Sequence, residues 1–195
     1  MNFLAHLYLT RGYEEISVGN FIADFVRSSQ HEKFSDEVRK GIMIHHSIDR
    51  FTDEHAVVQE SRKRLREKYR KYSVVITDVY YDHFLAANWL QYSDKPLAEF
   101  SADVYSLLVK YEHVFPEQAR YVFQYMSLND WLLSYAKPEG MDEALKGLAR
   151  RATFDSGMEH AAEGLQKYYA EFENEFMQFF PQLEEFTNSL LPKKH

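Results

Sequence analysis

The sequence predicts an all-α protein folded as a single-domain helical bundle, and three observations predict it. Apolar residues recur at three- and four-residue spacing along most of the 195 residues, while the strict alternation of a half-buried strand is nearly absent. Only 5 Pro and 7 Gly interrupt the chain. Hydrophobic residues make up 45%, aromatic residues 16% and charged residues 27%, the composition of a chain that buries a core. The length suits one domain, and no internal repeat, low-complexity stretch or Pro/Gly/Ser-rich linker marks a boundary, so residues 1–195 are expected to form one unit.

Taken in order, the pattern predicts helices over about 2–10, 17–29, 35–50, 54–71, 74–92, 95–113, 116–126, 128–136, 141–152 and 155–180, with a short one near 181–190. Ser35 and Asp36 can cap the third, Thr52 or Asp53 the fourth, and Pro96 and Pro116 suit first-turn positions. Gly140 and Gly157 fit turns. The end of the chain, "YYAEFENEFMQFFPQLEEF", is aromatic and amphipathic.

Composition also excludes functions. With no cysteine there is no disulfide, thiolate metal site or cysteine nucleophile, and any tightly held metal must use His, Asp or Glu; nine histidines supply the first of these. "MNFLAHLYLT" has neither the basic leader nor the small-residue cleavage site of a secretory signal, and no apolar run approaches the roughly 20 residues of a membrane span. A soluble, cytoplasmic protein is expected, with no membrane partner. A net charge of -7 argues against a nucleic-acid partner.

Before about residue 92, polar residues recur inside apolar helices at a spacing of four, which places both on one helical face. The pairs are Asn2 with His6, Asn20 with Asp24, His45 with Asp49, and Asp78 with Asp82. A buried carboxylate without a partner costs several kcal/mol, so their surroundings ask what they hold. Singly, each is as well read as a cap or a satisfied core residue. As a set from four helices, they form the carboxylate and imidazole constellation that a divalent cation requires. A different feature is "SRKRLREKYRKY", residues 61–72, with seven cations and one acid in an acidic chain. It reads as a solvated face or as a docking surface for an anionic partner.

The motifs "MNFLAHL" at the start, "GNFIADFV" at 19–26, "GIMIHHSIDRFTD" at 41–53 and "DVYYDHFLAANW" at 78–89 together resemble the bacterial acyl-carrier-protein phosphodiesterases. The likeness in motifs covers the first half of the chain; length and helical, aromatic character extend it to the second. The resemblance implies a variant of the helical HD-domain fold and a metal-dependent hydrolase that removes the 4'-phosphopantetheine arm from holo acyl carrier protein. It implies a divalent cation, Mn²⁺ foremost, with Mg²⁺, Fe²⁺ and Zn²⁺ as other metals that O/N ligands accept. It places the metal and catalytic residues at Asp24, His45, Asp82 and His83, with Asp49 as a further ligand and His6, Asn20 and Asp78 orienting them. The HD signature reads His then Asp, whereas this chain reads Asp82 then His83, which leaves open which of the two binds metal. Because acyl carrier proteins are small and acidic, the basic run becomes a docking surface through Arg62, Arg66 and Arg70. Two other readings stay open from the residues: an HD-like phosphohydrolase acting on a nucleotide or other small phosphate ester, and a non-catalytic helical module that binds an acyl carrier protein.

Overall fold

The two glycines that open "GNFIADFV" and "GIMIHHSIDRFTD" form the tightest joint of the molecule. In the computed structural model of the protein, which describes residues 2–193, they lie on α2 (Glu14–Ile22) and α3 (Asp36–Glu54). A Cβ on Gly19 would stand 2.0 Å from the Val38 carbonyl oxygen, and one on Gly41 2.1 Å from that of Ile16. Only glycine permits two helix backbones to approach this closely. Helix α3 starts as expected: the Ser35 hydroxyl accepts from the Val38 amide at 3.3 Å, with Asp36 and Glu37 in the first turn favoured by the helix dipole.

The central element is α5 (Ser73–Ala87), in which Val79, Tyr80, Tyr81, Phe84 and Leu85 are all fully buried. A helix apolar on every side must be surrounded. Around it stand α1 (Phe3–Leu9), α4 (Ala56–Tyr69), α9 (Pro138–Arg151) and α11 (Tyr169–Leu190). From α11, Phe172 meets the Tyr80 ring edge-on at 5.1 Å and Phe176 meets Tyr81 at 5.6 Å, so the aromatic C-terminal half is spent on packing the helix between them. The remaining helices are α6 (Leu97–Lys110), α7 (Glu117–Leu128), α8 (Trp131–Ser134) and α10 (Ala161–Lys167). One continuous core runs from Leu4 to Leu183, and the described residues contain no strand.

The element boundaries differ from expectation in instructive places. The helix expected over 17–29 stops at Ile22 and continues as 3₁₀ turns over Ala23–Phe25 and Ser28–Lys33. No residue of Ser28–Lys33 is buried, so no apolar face holds an α-helix there. The segment expected as one helix over 155–180 is divided: Gly157 turns at φ 63°, α10 ends at Lys167, and α11 starts at Tyr169. Helix α11 then passes through Pro181 to Leu190, because buried Leu183 and Thr187 hold its last turns against the core despite the lost backbone bond. Gly140 lies inside α9, where a Cβ would strike the Ser134 carbonyl oxygen at 2.1 Å. Thr52 and Asp53 remain within α3, which runs on to Glu54, and Pro96 and Pro116 occupy the positions just before α6 and α7. Among the described residues, no helix is long and apolar enough to cross a membrane.

Candidate metal centre

The glycine joint sets the site. Because α2 and α3 touch at Gly19 and Gly41, Asn20 stands directly against His45, one turn further along α3. Asn20 is fully buried and uses both ends of its amide. Its Nδ2 donates to the His6 carbonyl oxygen at 3.0 Å, which leaves Oδ1 facing the two imidazoles. That oxygen lies 2.8 Å from His6 Nδ1 and 3.0 Å from His45 Nδ1, and the Asn20 backbone carbonyl lies 2.9 Å from His45 Nδ1. Carbonyl oxygens only accept, so both histidines carry a proton on Nδ1 and turn Nε2 the other way.

Both Nε2 atoms face Asp49. His6 Nε2 is 3.2 Å from Asp49 Oδ1, and His45 Nε2 is 3.2 Å from Asp49 Oδ2. The rings are stacked with centroids 4.1 Å apart. Asp24, on the 3₁₀ turn after α2, adds a carboxylate oxygen 3.2 Å from His45 Nε2. His6, His45 and Asp49 each present one ligand atom, and these atoms lie within 4.8 Å of one another. The imidazoles are buried while Asp49 and Asp24 are 39% and 67% exposed, so the group is closed below and open to solvent above.

The proton affinities follow from this crowding. Burial and the neighbouring His45 lower His6 to about 4, against the upward pull of Asp49. Burial also works against a charge on His45, but Asp24 and Asp49 beside its Nε2 outweigh it and raise it to about 9. Burial disfavours a charged Asp49, yet the His45 and His6 imidazoles facing it hold it well below the usual carboxylate range. The His45 hydrogen bond keeps Asp24 low as well. The cluster therefore holds two carboxylates, an uncharged imidazole and a proton shared at His45.

The donor set fits a divalent cation. His6 Nε2 is buried and makes no hydrogen bond of acceptable geometry, an orphan that such a cation would satisfy. Two imidazole nitrogens with carboxylate oxygens suit first-row divalent metals.

Of the residues singled out in the sequence, the structure brings together His6, Asn20, Asp24, His45 and Asp49, and gives the others different partners. Asp82 is fully buried on α5, where its carboxylate accepts from the amides of Asn2, Leu4 and Ala5 at 3.2, 2.8 and 3.3 Å. It caps α1 from another helix, since Asn2 at the N-cap provides no side-chain bond of its own. His83 donates from Nδ1 to the Tyr135 carbonyl oxygen at 2.8 Å, and its Nε2 meets the Tyr169 hydroxyl at 3.2 Å. Burial lowers its proton affinity, as befits a neutral brace between helices. Asp78 and Asp53 flank Arg62, whose guanidinium lies 3.6 and 2.7 Å from them. Arg62 is only 3% exposed and ties α3, α4 and α5 together, so it is not on the docking face where the basic run placed it; Arg66 and Arg70 are exposed. The family resemblance set His6 behind the ligands, yet its Nε2 is as near Asp49 as that of His45.

An all-α scaffold that gathers two imidazoles and a carboxylate from two helices into one open pocket defines a helical protein with a His/Asp group able to hold a metal. Residues 1–183 match the family described as acyl carrier protein phosphodiesterase, and the chain belongs to that family. Similar proteins named acyl carrier protein phosphodiesterase include that of Photorhabdus laumondii subsp. laumondii, 32% identical over 190 residues, which spans 95% of this chain and 94% of the relative. Those of Escherichia coli O157:H7 and Klebsiella pneumoniae are 34% and 33% identical over 184 residues, 94% of this chain and 95% of each relative. No solved structure matches the chain.

Proposed function

We propose that the protein hydrolyses the phosphodiester joining the 4'-phosphopantetheine arm to a serine of acyl carrier protein, leaving the apo form. Residues 1–195 would act as one catalytic unit, since a single core spans both halves, and the reaction would take place in the cytoplasm, where we place the carrier protein. The observation that carries the reading is the convergence of His6 Nε2 and His45 Nε2 on Asp49, in a chain whose relatives bear the phosphodiesterase name.

His6, His45 and Asp49 would hold a divalent cation, Mn²⁺ foremost, with Asp24 at the open side as a further ligand or proton acceptor. Such a cation supplies neutralisation of phosphoryl charge and a water that ionises near neutral pH. The protein's own groups do the rest. Asn20 fixes both imidazoles with Nε2 forward. Asp82 holds the first turn of α1 and so the height of His6, and His83 braces α5; neither is in the ligand set we propose, because their polar atoms are already engaged. Asp24, exposed at the rim, would take the proton of the attacking water and return it to the departing serine oxygen. Arg66 and Arg70 would meet the acidic carrier protein.

The test is mass spectrometry of holo acyl carrier protein incubated with the purified enzyme and Mn²⁺. The carrier should lose the mass of the arm, and EDTA or Asp49→Ala should abolish the loss. Persistence of the holo form, from an enzyme shown to contain one bound metal, would exclude this substrate and leave a small phosphate ester as the alternative.

A further inference from the structure

Beside the metal centre lies a groove of about 490 Å³ that the proposed chemistry leaves unused. Its volume falls within the range of small-molecule sites. Asn2 and Phe3 line both this groove and the cavity of about 20 Å³ over His6, Asn20, Asp24 and His45, so the two spaces adjoin. The groove follows one face of α9 from Glu139 to Arg151, about 18 Å at 1.5 Å per residue, which makes it long and narrow. Its opposite side carries Tyr125, Trp131 and Tyr135. Tyr125 is 48% exposed, and the Trp131 ring rests against Phe3 at 6.4 Å.

Gly147 supplies a second observation. It lies in the middle of α9, where glycine costs about 1 kcal/mol relative to alanine. Its φ is negative, and the nearest atom to an added Cβ is the end of the flexible Arg150 side chain at 3.7 Å. No packing requires glycine there, in contrast to Gly19, Gly41 and Gly140. What it does is leave the groove wall without a side chain.

We infer that this groove is the binding site for the pantetheine portion of the arm whose phosphate is cleaved at the metal centre, an inference that rests on the function proposed above. An extended chain of methylenes and two amides needs an elongated channel with apolar walls and scattered amide partners. The groove offers aromatic faces together with Asn129 and Ser134. Its junction with the metal centre at Asn2 and Phe3 lets the phosphate end of such a chain stand over His6 and His45 while the remainder lies along α9.

Tryptophan emission reads the groove directly, because Trp89 is buried in the core and Trp131 stands at the groove. The probe is S-methyl-D-pantetheine, which has neither a phosphate nor a free thiol to hold it at the metal centre. Titrating it into the metal-loaded full-length protein should change the emission saturably, and Trp131→Phe should remove the change. Gly147→Gln should weaken binding of this probe at least tenfold and raise KM for holo acyl carrier protein, with a thermal midpoint equal to or above that of the parent. A flat titration of the parent, or an affinity that Gly147→Gln leaves alone, would overturn the assignment. The carrier-protein assay judges the reaction separately: saturable binding lost in Gly147→Gln, with no release of the arm, supports the groove while sinking the phosphodiesterase reading.

Discussion

Asn20 is the residue on which the centre turns, for its one amide orients two imidazoles, while Asp24, on the turn that follows, stands at the rim beside His45. Asn20→Ala should reduce metal affinity about 10- to 100-fold, the usual cost of losing a group that orients ligands, as read by calorimetric titration of Mn²⁺. It should also cost about 1–3 kcal/mol in urea unfolding, because the buried His6 Nδ1–H loses its acceptor and the His6 carbonyl its donor, while His45 keeps the Asn20 backbone carbonyl. Asp82 allows a prediction of opposite character. Burial raises it to about 7, held back by the amides of Leu4, Ala5 and Asn2. A folded-state value above the unfolded one contributes stability that is fully present below about pH 4 and lost as pH rises through 7. The stability of the parent relative to Asp82→Asn should therefore decline from pH 4 to pH 7; a flat difference across that window would refute the assignment. The four spaced pairs named in the sequence included every residue now found in the cluster. What they could not show is that Asp82, with the same spacing and the same apolar neighbours, serves a helix end, since that depends on where α1 lands.

At the scale of elements, the contact between α2 and α3 is made by backbone on backbone. Gly41→Ala would place a methyl 2.1 Å from the Ile16 carbonyl oxygen, an atom that moves only if the helices part. The expected cost is about 1–3 kcal/mol or more by denaturant unfolding, together with weaker metal binding, since Asn20 and His45 separate with the helices. Unchanged metal affinity in a destabilised variant would show that the joint serves folding alone. Helix type was legible almost everywhere from periodicity, because long amphipathic segments such as α3, α6 and α11 carry several turns of consistent signal. The boundaries at Ile22 and Pro181 were not. Local rules end a helix at proline and extend one through Phe25; burial of Leu183 and Thr187 decided the first, and the lack of buried residues over Ser28–Lys33 the second. The glycines at 19 and 41 were visible as letters, but a close crossing is a property of the pair, and their separation in sequence gave no sign of it.

For the molecule as a whole, charge and chain order matter most. The protein carries a net charge of -7, so approach to an acidic partner is repulsive unless a local patch reverses the field. Arg64 is committed to Glu175 at 2.6 Å, Lys63 and Lys68 lie near Glu60 and Glu163, and Arg62 is buried, which leaves Arg66, Arg70 and Lys71 as exposed cations of that run without an ion pair among the described residues. Reversing Arg66 and Arg70 to Glu should raise KM for holo acyl carrier protein about tenfold at low salt, and the gap should narrow at 0.5 M NaCl as screening removes the steering. A gap insensitive to salt would place docking elsewhere. Finally, the carboxylate of Asp82 that secures the first turn of α1 belongs to a residue made some 78 positions later than the amide of Leu4 it holds. A ribosome releasing this chain thus produces His6 early and can secure the first turn that precedes it only after α5 has emerged and docked. Any loading of a cation would then follow the docking of α5, and in a chain stalled before Ser73 the Asn20 amide alone would tether His6 beside His45 and Asp49, without the carboxylate that secures the turn carrying it.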